Sequence, residues 1–265
     1  MLLPIYLSLI FLAIIQGLTE WLPVSSSGIL IILEEIIKLE DKNLNLLFNI
    51  AVHTGSLIAV ITYFKREVFE LRKNIKLIKN IKIIKNIIIA TIPVIICGFI
   101  IKILNLNIFL HDIKIVAFAT IVFSIVLYLS DKTKISKKFS KNISNKDSLY
   151  IGFAQALALI PGTSRSGITI SCARYLGFSR FDSSKFSFLI SIPTLFAATV
   201  LGAADIIVTF DKNIIFLLAL GIFVSLVVSL LCIKLFLKFV ENNSLTLFVI
   251  LRLILGFGLI IYLAN

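Results

Sequence analysis

The chain has 265 residues, 59% hydrophobic and 15% charged, with a mean hydropathy of +1.07. A soluble globular domain carries about 45–50% apolar and about 25% charged residues, so a water-soluble enzyme is excluded and a chain that crosses a bilayer several times is expected. The net charge of +12, from 26 Lys and Arg against 14 Asp and Glu, fits basic cytoplasmic loops better than nucleic acid binding.

The first region, 1–38, is apolar at both ends and broken by QGLTEWLPVSSSG at 16–28. Only Ile29–Leu33 and Ile36–Ile37 are apolar after the break. That arm is too short to cross, which predicts a re-entrant hairpin whose irregular tip is buried in protein or lines a cavity. No charged start, short apolar run and cleavage site precede a polar chain, so a removable signal peptide is not expected.

Three spans follow at 44–64, 87–104 and 113–130, each long enough for a core of about 30 Å. Segment 65–86 carries eight Lys/Arg and alternates them with Ile, the pattern of a surface helix on anionic lipid. Segment 131–147 carries six more. A second broken region, 148–184, centres on QALALIPGTSRSG at 155–167, and spans at 186–204, 214–233 and 245–263 complete the chain. Cys97, Cys172 and Cys232 lie far apart in apolar runs, without metal or disulfide spacing.

Two spans separate the basic segments, so both can be cytoplasmic. Hairpin 16–28 then enters from outside, hairpin 155–167 from the cytoplasm, and both termini lie outside. The net-acidic segment 34–43 is external in this arrangement.

A shift of 139 residues lays Gln16 on Gln155, Ser25 on Ser164, Ser27 on Ser166 and Gly28 on Gly167, with seven of sixteen positions identical. Each half is one hairpin plus three spans, an odd number, so the halves are expected to be inverted. The predicted fold is an all-α polytopic membrane protein: six transmembrane helices plus two re-entrant helical hairpins. Its single membrane domain, 1–265, divides into repeat 1 (1–130), a basic linker (131–147) and repeat 2 (148–265).

Glu20 and Arg165 are charges at the tips of the two breaks, where an ionised residue costs roughly 2.5–3.5 kcal/mol. If the tips meet, they share a polar pocket; the plain alternative is a pair that only holds the halves together. Ser25, Ser26 and Ser27 after Pro23, and Thr163, Ser164 and Ser166 around Arg165, place hydroxyls at helix starts that suit phosphate oxygens. The same hydroxyls can serve only as caps. Arg165 supplies a planar fork for two phosphate oxygens. His53 lies inside a span, either as an interhelical bridge or in the site. His111, beside Asp112 in an external loop, has no specific role, and Arg252 in the last span either bonds backbone carbonyls or approaches the site.

QGLTEWLPVSSSG resembles the E/Q-GxTExxPxSSxGH element of the bacterial undecaprenyl-diphosphate phosphatase family, also called the bacitracin-resistance protein family. PGTSRSGITIS resembles its PGxSRSGxT element, and HTGSL, FSFLISIP (186–193) and the Arg of the last span follow in family order. The resemblance implies an integral membrane enzyme of the bacterial cytoplasmic membrane. It would hydrolyse undecaprenyl diphosphate to the monophosphate and inorganic phosphate, recycling the carrier for cell-wall synthesis and conferring bacitracin resistance.

It implies a site open to the outer face, with divalent metal (Mg²⁺ or Ca²⁺) supporting activity. Ser26 would be the nucleophile, Glu20 the catalytic or metal-binding carboxylate and Arg165 the phosphate clamp. Gln16, Ser25, Ser27, Thr163, Ser164 and Ser166 would bind substrate or position Ser26. The partners are the polyprenyl diphosphate lipid and membrane lipids; a homodimer is left open. Gln16 stands where many members have Glu. Ile29 stands where the motif has His, so proton transfer passes to His53 or Glu20, metal lowers the barrier, or activity is lost. The competing function is a polyprenyl-phosphate flippase without hydrolytic activity.

Overall fold

The computed structural model describes residues 2–26, 29, 42–69, 76–104, 112–137, 143–204 and 212–264. Ser27, Gly28, His111 and positions 34–41 of the acidic segment lie outside them. The described residues contain helices and no strand. Those helices are α1 (Leu2–Thr19), α2 (Lys42–Tyr63), α3 (Lys65–Phe69), α4 (Lys76–Ile103), α5 (Ile113–Asp131), α6 (Asn145–Ala156), α7 (Arg165–Tyr175), α8 (Arg180–Ala204), α9 (Lys212–Asn242) and α10 (Thr246–Ala264). Six of them, α2, α4, α5, α8, α9 and α10, are long and apolar enough to cross a membrane, so the chain is an all-α polytopic membrane protein.

Two boundaries differ from the sequence reading. Residues 76–86 are not a separate surface helix but the first turns of α4, continuous with its span. Asn86 and Ala90 are fully buried, while Lys82, one turn earlier on the same face, and Lys85 are exposed, so the helix leaves its packing as it runs back through the charges. Helix α9 likewise runs past 233 to Asn242: Ile233, Phe236, Leu237 and Val240 are buried, and Lys234 and Lys238 extend outward from the same turns.

The ends of α2, α5 and α8 are tied by charge. Asp131 at the end of α5 receives both Nε and Nη2 of Arg180, at 2.5 and 3.0 Å, and the backbone N–H of Leu245 at 3.1 Å. Glu67 in α3 accepts from Lys185 at 2.8 Å. Ser144 and Asp147 close a capping box at the start of α6, and Lys137 donates to Asp147 at 2.7 Å. Both basic segments therefore converge at the N-terminus of α8.

Packing partners alternate between the halves: α1 lies on α9, and α6 lies on α4. Small residues allow these approaches. A Cβ on Gly152 would stand 2.6 Å from the Ala90 carbonyl of α4, and one on Gly55 2.4 Å from the Ile222 carbonyl of α9. Serine hydroxyls close the α1–α2–α9 contact: Ser56 meets Ser225 and Ser229 at 3.1 and 3.0 Å, and Ser229 donates to the Gly17 carbonyl near the middle of α9.

Candidate functional site

Helix α1 stops at Thr19 because the residues that follow cannot continue it: Pro23 lacks a donor, and Ser25 sits at φ +83°. Beyond it, Ser26 and Ile29 are helical. In the second half, α6 passes through a short 3₁₀ turn (Leu157–Leu159), breaks at Pro161 and Gly162, and restarts at Arg165 after Ser164, which has φ +67°. Among the described residues these two serines are the only non-glycine positions with positive φ. They are 139 residues apart, as are Ser26 and Arg165, each the first helical residue after such a serine.

The two breaks meet. Arg165 Nη2 donates to Glu20 Oε1 at 2.6 Å, and Arg165 Nη1 donates to the Ser187 carbonyl of α8 at 3.3 Å. Ser166 Oγ donates to the Leu22 carbonyl at 2.9 Å, a second tie between the breaks. An aromatic row packs beside this contact. Trp21 packs edge-on against Phe188 (centroids 5.1 Å apart), and Phe236 and Phe248 continue the row. Arg165 lies over the Trp21 ring at 5.8 Å. Ile29, in the position of the motif His, packs against this apolar cluster.

Gln16 and His53 complete the group. Gln16 Nε2 donates to Glu20 Oε2 at 2.8 Å and lies 3.0 Å from His53 Nε2. An amide nitrogen has no lone pair to offer, so His53 Nε2 is the acceptor and its proton resides on Nδ1, which donates to the Asn49 carbonyl at 2.7 Å. His53 Nε2 also stands 3.7 Å from Glu20 Oε2. The side chains of Arg165 and His53 keep 16% and 31% of their surface exposed against 8% for Glu20. The cation and the imidazole are therefore more open than the carboxylate they contact.

The hydroxyls divide by task. Ser164 Oγ caps α7 by accepting from Gly167 N at 3.2 Å and lies 3.3 Å from Ser166 Oγ. Ser25 is fully buried and Ser26 half-buried at its helix start. Thr163 is fully buried and its Oγ1 has no hydrogen-bond partner, as is true of Gln16 Oε1 and Trp21 Nε1. These orphaned atoms around the breaks mark a place where a bound molecule or water completes the hydrogen bonding. Trp21 and the Asn49 and Ser187 carbonyls escaped the sequence reading; the one signal was that the sole tryptophan of the chain stands next to Glu20 in the first break.

Glu20 is the carboxylate of this cluster, and both its oxygens are engaged, one by a cation. Among the described residues no group of three His, Cys, Asp or Glu side chains is placed to hold an ion. This donor set does not fit a resident Mg²⁺ or Ca²⁺ held in a protein cage.

The family described as bacitracin resistance protein BacA matches residues 9–258. An undecaprenyl-diphosphatase of Pelagibacter ubique is 42% identical over 261 residues, covering 98% of both chains. One of Aliivibrio salmonicida is 40% identical over 98% of both, and one of Roseobacter denitrificans is 39% identical over 96% of this chain and 97% of its own.

Proposed function

Because the chain belongs to the bacitracin resistance protein BacA family, we propose that its paired breaks form the site of an undecaprenyl-diphosphate phosphatase. The reaction is undecaprenyl diphosphate plus water giving undecaprenyl phosphate and inorganic phosphate. The observation that carries this reading is the Arg165–Glu20 contact across the breaks, with Gln16 and His53 gathered on the same carboxylate.

Arg165 binds the terminal phosphoryl oxygens and opposes the charge that grows on them in the transition state. The Ser26 hydroxyl attacks the terminal phosphorus, the bond to the bridging oxygen breaks, and lipid monophosphate leaves. Ser26 is supported by its motif and by its place opposite Arg165 in the repeat. His53 Nε2 takes the hydroxyl proton once Gln16 Nε2, whose N–H occupies its lone pair in this structure, gives way to substrate, while Nδ1–H stays on the Asn49 carbonyl. Water then releases phosphate and restores Ser26. Glu20 orients Arg165, while Thr163, Ser25 and Ser27 hold the diphosphate. Among the described residues no cluster of ligating side chains would hold a divalent cation, and one that takes part would come bound to the diphosphate.

The halves form inverted repeats, a reading supported by the matched positive-φ serines and the exchanged packing of α1 on α9 and α6 on α4. The convergence of both basic segments at one end of the bundle supports placing that end in the cytoplasm of a bacterial inner membrane, with the site served from outside.

Purified protein in detergent should release one phosphate per undecaprenyl diphosphate. A flippase would release none. Chelation should abolish release and excess Mg²⁺ or Ca²⁺ restore it; turnover indifferent to chelator would remove the cation from this account.

A further inference from the structure

Arg252 is fully buried inside the spanning helix α10, where a cation needs a strong reason to stay. No carboxylate among the described residues pairs with it. Its Nη2 donates instead to the carbonyls of Thr163 at 3.0 Å and Gly162 at 3.1 Å, with Thr120 O at 3.4 Å, and its Nε donates to Ser124 Oγ at 3.0 Å. Two consecutive carbonyls of the second break thus turn toward one guanidinium. The turn is held from the other side as well: Thr120 Oγ1 donates to the Gly162 carbonyl at 3.3 Å. Gly162, at φ +91°, lies so close to α5 that an added Cβ would stand 2.3 Å from the Val116 carbonyl. Beyond the turn, Arg252 Nη1 lies 2.8 Å from where a Cβ on Gly167 would sit, against the first turn of α7.

Arg252 therefore holds the chain by hydrogen bonds just before Ser164 and Arg165, while its Nη1, which has no hydrogen-bond partner, only packs against Gly167 beyond them. Fixing the peptide planes at 162 and 163 fixes the direction in which the chain enters Ser164, the strained residue that starts α7. Arg165 is the next residue, so its backbone position follows from this grip. The corresponding position in the first half, Ile113, is apolar.

We propose that Arg252 is a positioning residue: it clamps the carbonyls of Gly162 and Thr163 and so sets the backbone from which Arg165 reaches Glu20 and the substrate phosphate. Its kinetic consequence rests on the phosphatase reading above; its structural consequence does not. The planar fork and the Nε–H are both required, so Lys, a flexible point charge, is a sensitive replacement.

The test is Arg252→Lys in the purified full chain, read by amide hydrogen exchange and by phosphate release. Exchange over 160–168 should rise about tenfold or more while α2 and α9 keep wild-type protection, as expected for a local opening. Turnover should fall about tenfold to 100-fold with KM changed less than about threefold, and adding Arg165→Lys should cost no more than Arg165→Lys alone, the non-additivity of residues acting as a unit. If Arg252→Lys fails to fold, Ser124→Ala, which removes the Nε anchor together with the Ser124 hydroxyl's bond to the Thr120 carbonyl within α5, should show the same localised exchange at smaller amplitude. Unchanged exchange over 160–168, exchange raised uniformly across the chain, or rate losses that multiply in the double variant would each overturn the proposal. Localised exchange in a protein that releases no phosphate would uphold the clamp and reject the phosphatase reading.

Discussion

Arg165→Lys separates a phosphate clamp from a simple ion pair, because it keeps the charge and discards the fork. Arg165 makes three contacts: Glu20 at 2.6 Å, the Ser187 carbonyl at 3.3 Å and the Trp21 face at 5.8 Å. Truncating it would leave Glu20 buried and unpaired, a loss of about 3–5 kcal/mol that could unfold the protein and explain nothing. Lysine still neutralises Glu20, so the fold loses little more than the long Ser187 bond, about 1 kcal/mol. For a chain of this size that lowers the melting temperature by about 2–4 °C. The catalytic loss should be much larger. One transition-state donor is worth on the order of 100-fold in rate, about 2.7 kcal/mol. The assay pairs phosphate release from undecaprenyl diphosphate with a thermal melt in the same detergent. Turnover within about threefold of wild type, less than about 1 kcal/mol, would mean that Arg165 only pairs with Glu20.

Ser26→Ala should abolish turnover while lipid diphosphate still binds; phosphate release near the wild-type rate would make Ser26 a helix-start residue and water the nucleophile. Glu20→Gln should lower turnover at least about tenfold without rescue by excess Mg²⁺ or Ca²⁺, since Arg165 loses its orienting charge; full activity would return the carboxylate to a structural role. Gly162→Ala should destabilise the protein by about 2–4 kcal/mol, from a side chain at φ +91° and an overlap with the Val116 carbonyl, and a melt within 2 °C of wild type would contradict this. Burial pushes the Asp147 carboxyl up, but the bonds from Lys137 and Ser144 outweigh it and hold it below its ordinary value. Its stabilisation is therefore complete above the unfolded carboxylate range near pH 4 and disappears as pH falls through the lower folded value. Asp147→Asn should cost about 1 kcal/mol at pH 7 and flatten that acid limb of the melting curve.

The spans were legible because a bilayer demands long apolar runs, and α2, α5 and α10 start and stop within a few residues of those runs. Hydropathy failed at α4 and α9, where the helix runs on through charged residues: in α9 these take an exposed face beside a buried one, and in α4 they lie in the turns before the buried ones. The site was legible in part for the same reason: Glu20 and Arg165 are costly in a membrane, so they had to be paired or used. Their 2.6 Å contact shows the pairing. The partnership of Gln16 with His53 was hidden, because it joins α1 to α2 across 37 positions and depends on helix rotation. Arg252 was visible as an anomaly, but its two readings converge: the carbonyls it bonds belong to the site loop. Thr120 and Ser124, spaced one helical turn apart, were the signal that α5 turns a polar face toward it.

The most direct test of the central claim is the fate of oxygen when purified protein turns over undecaprenyl diphosphate in ¹⁸O-labelled water, followed by ³¹P NMR. Attack at the terminal phosphorus, with water completing the cycle, predicts equal amounts of inorganic phosphate and lipid monophosphate, with one ¹⁸O in the inorganic phosphate and none in the lipid. A diphosphate signal that persists unchanged, or label in the lipid monophosphate, would contradict the account.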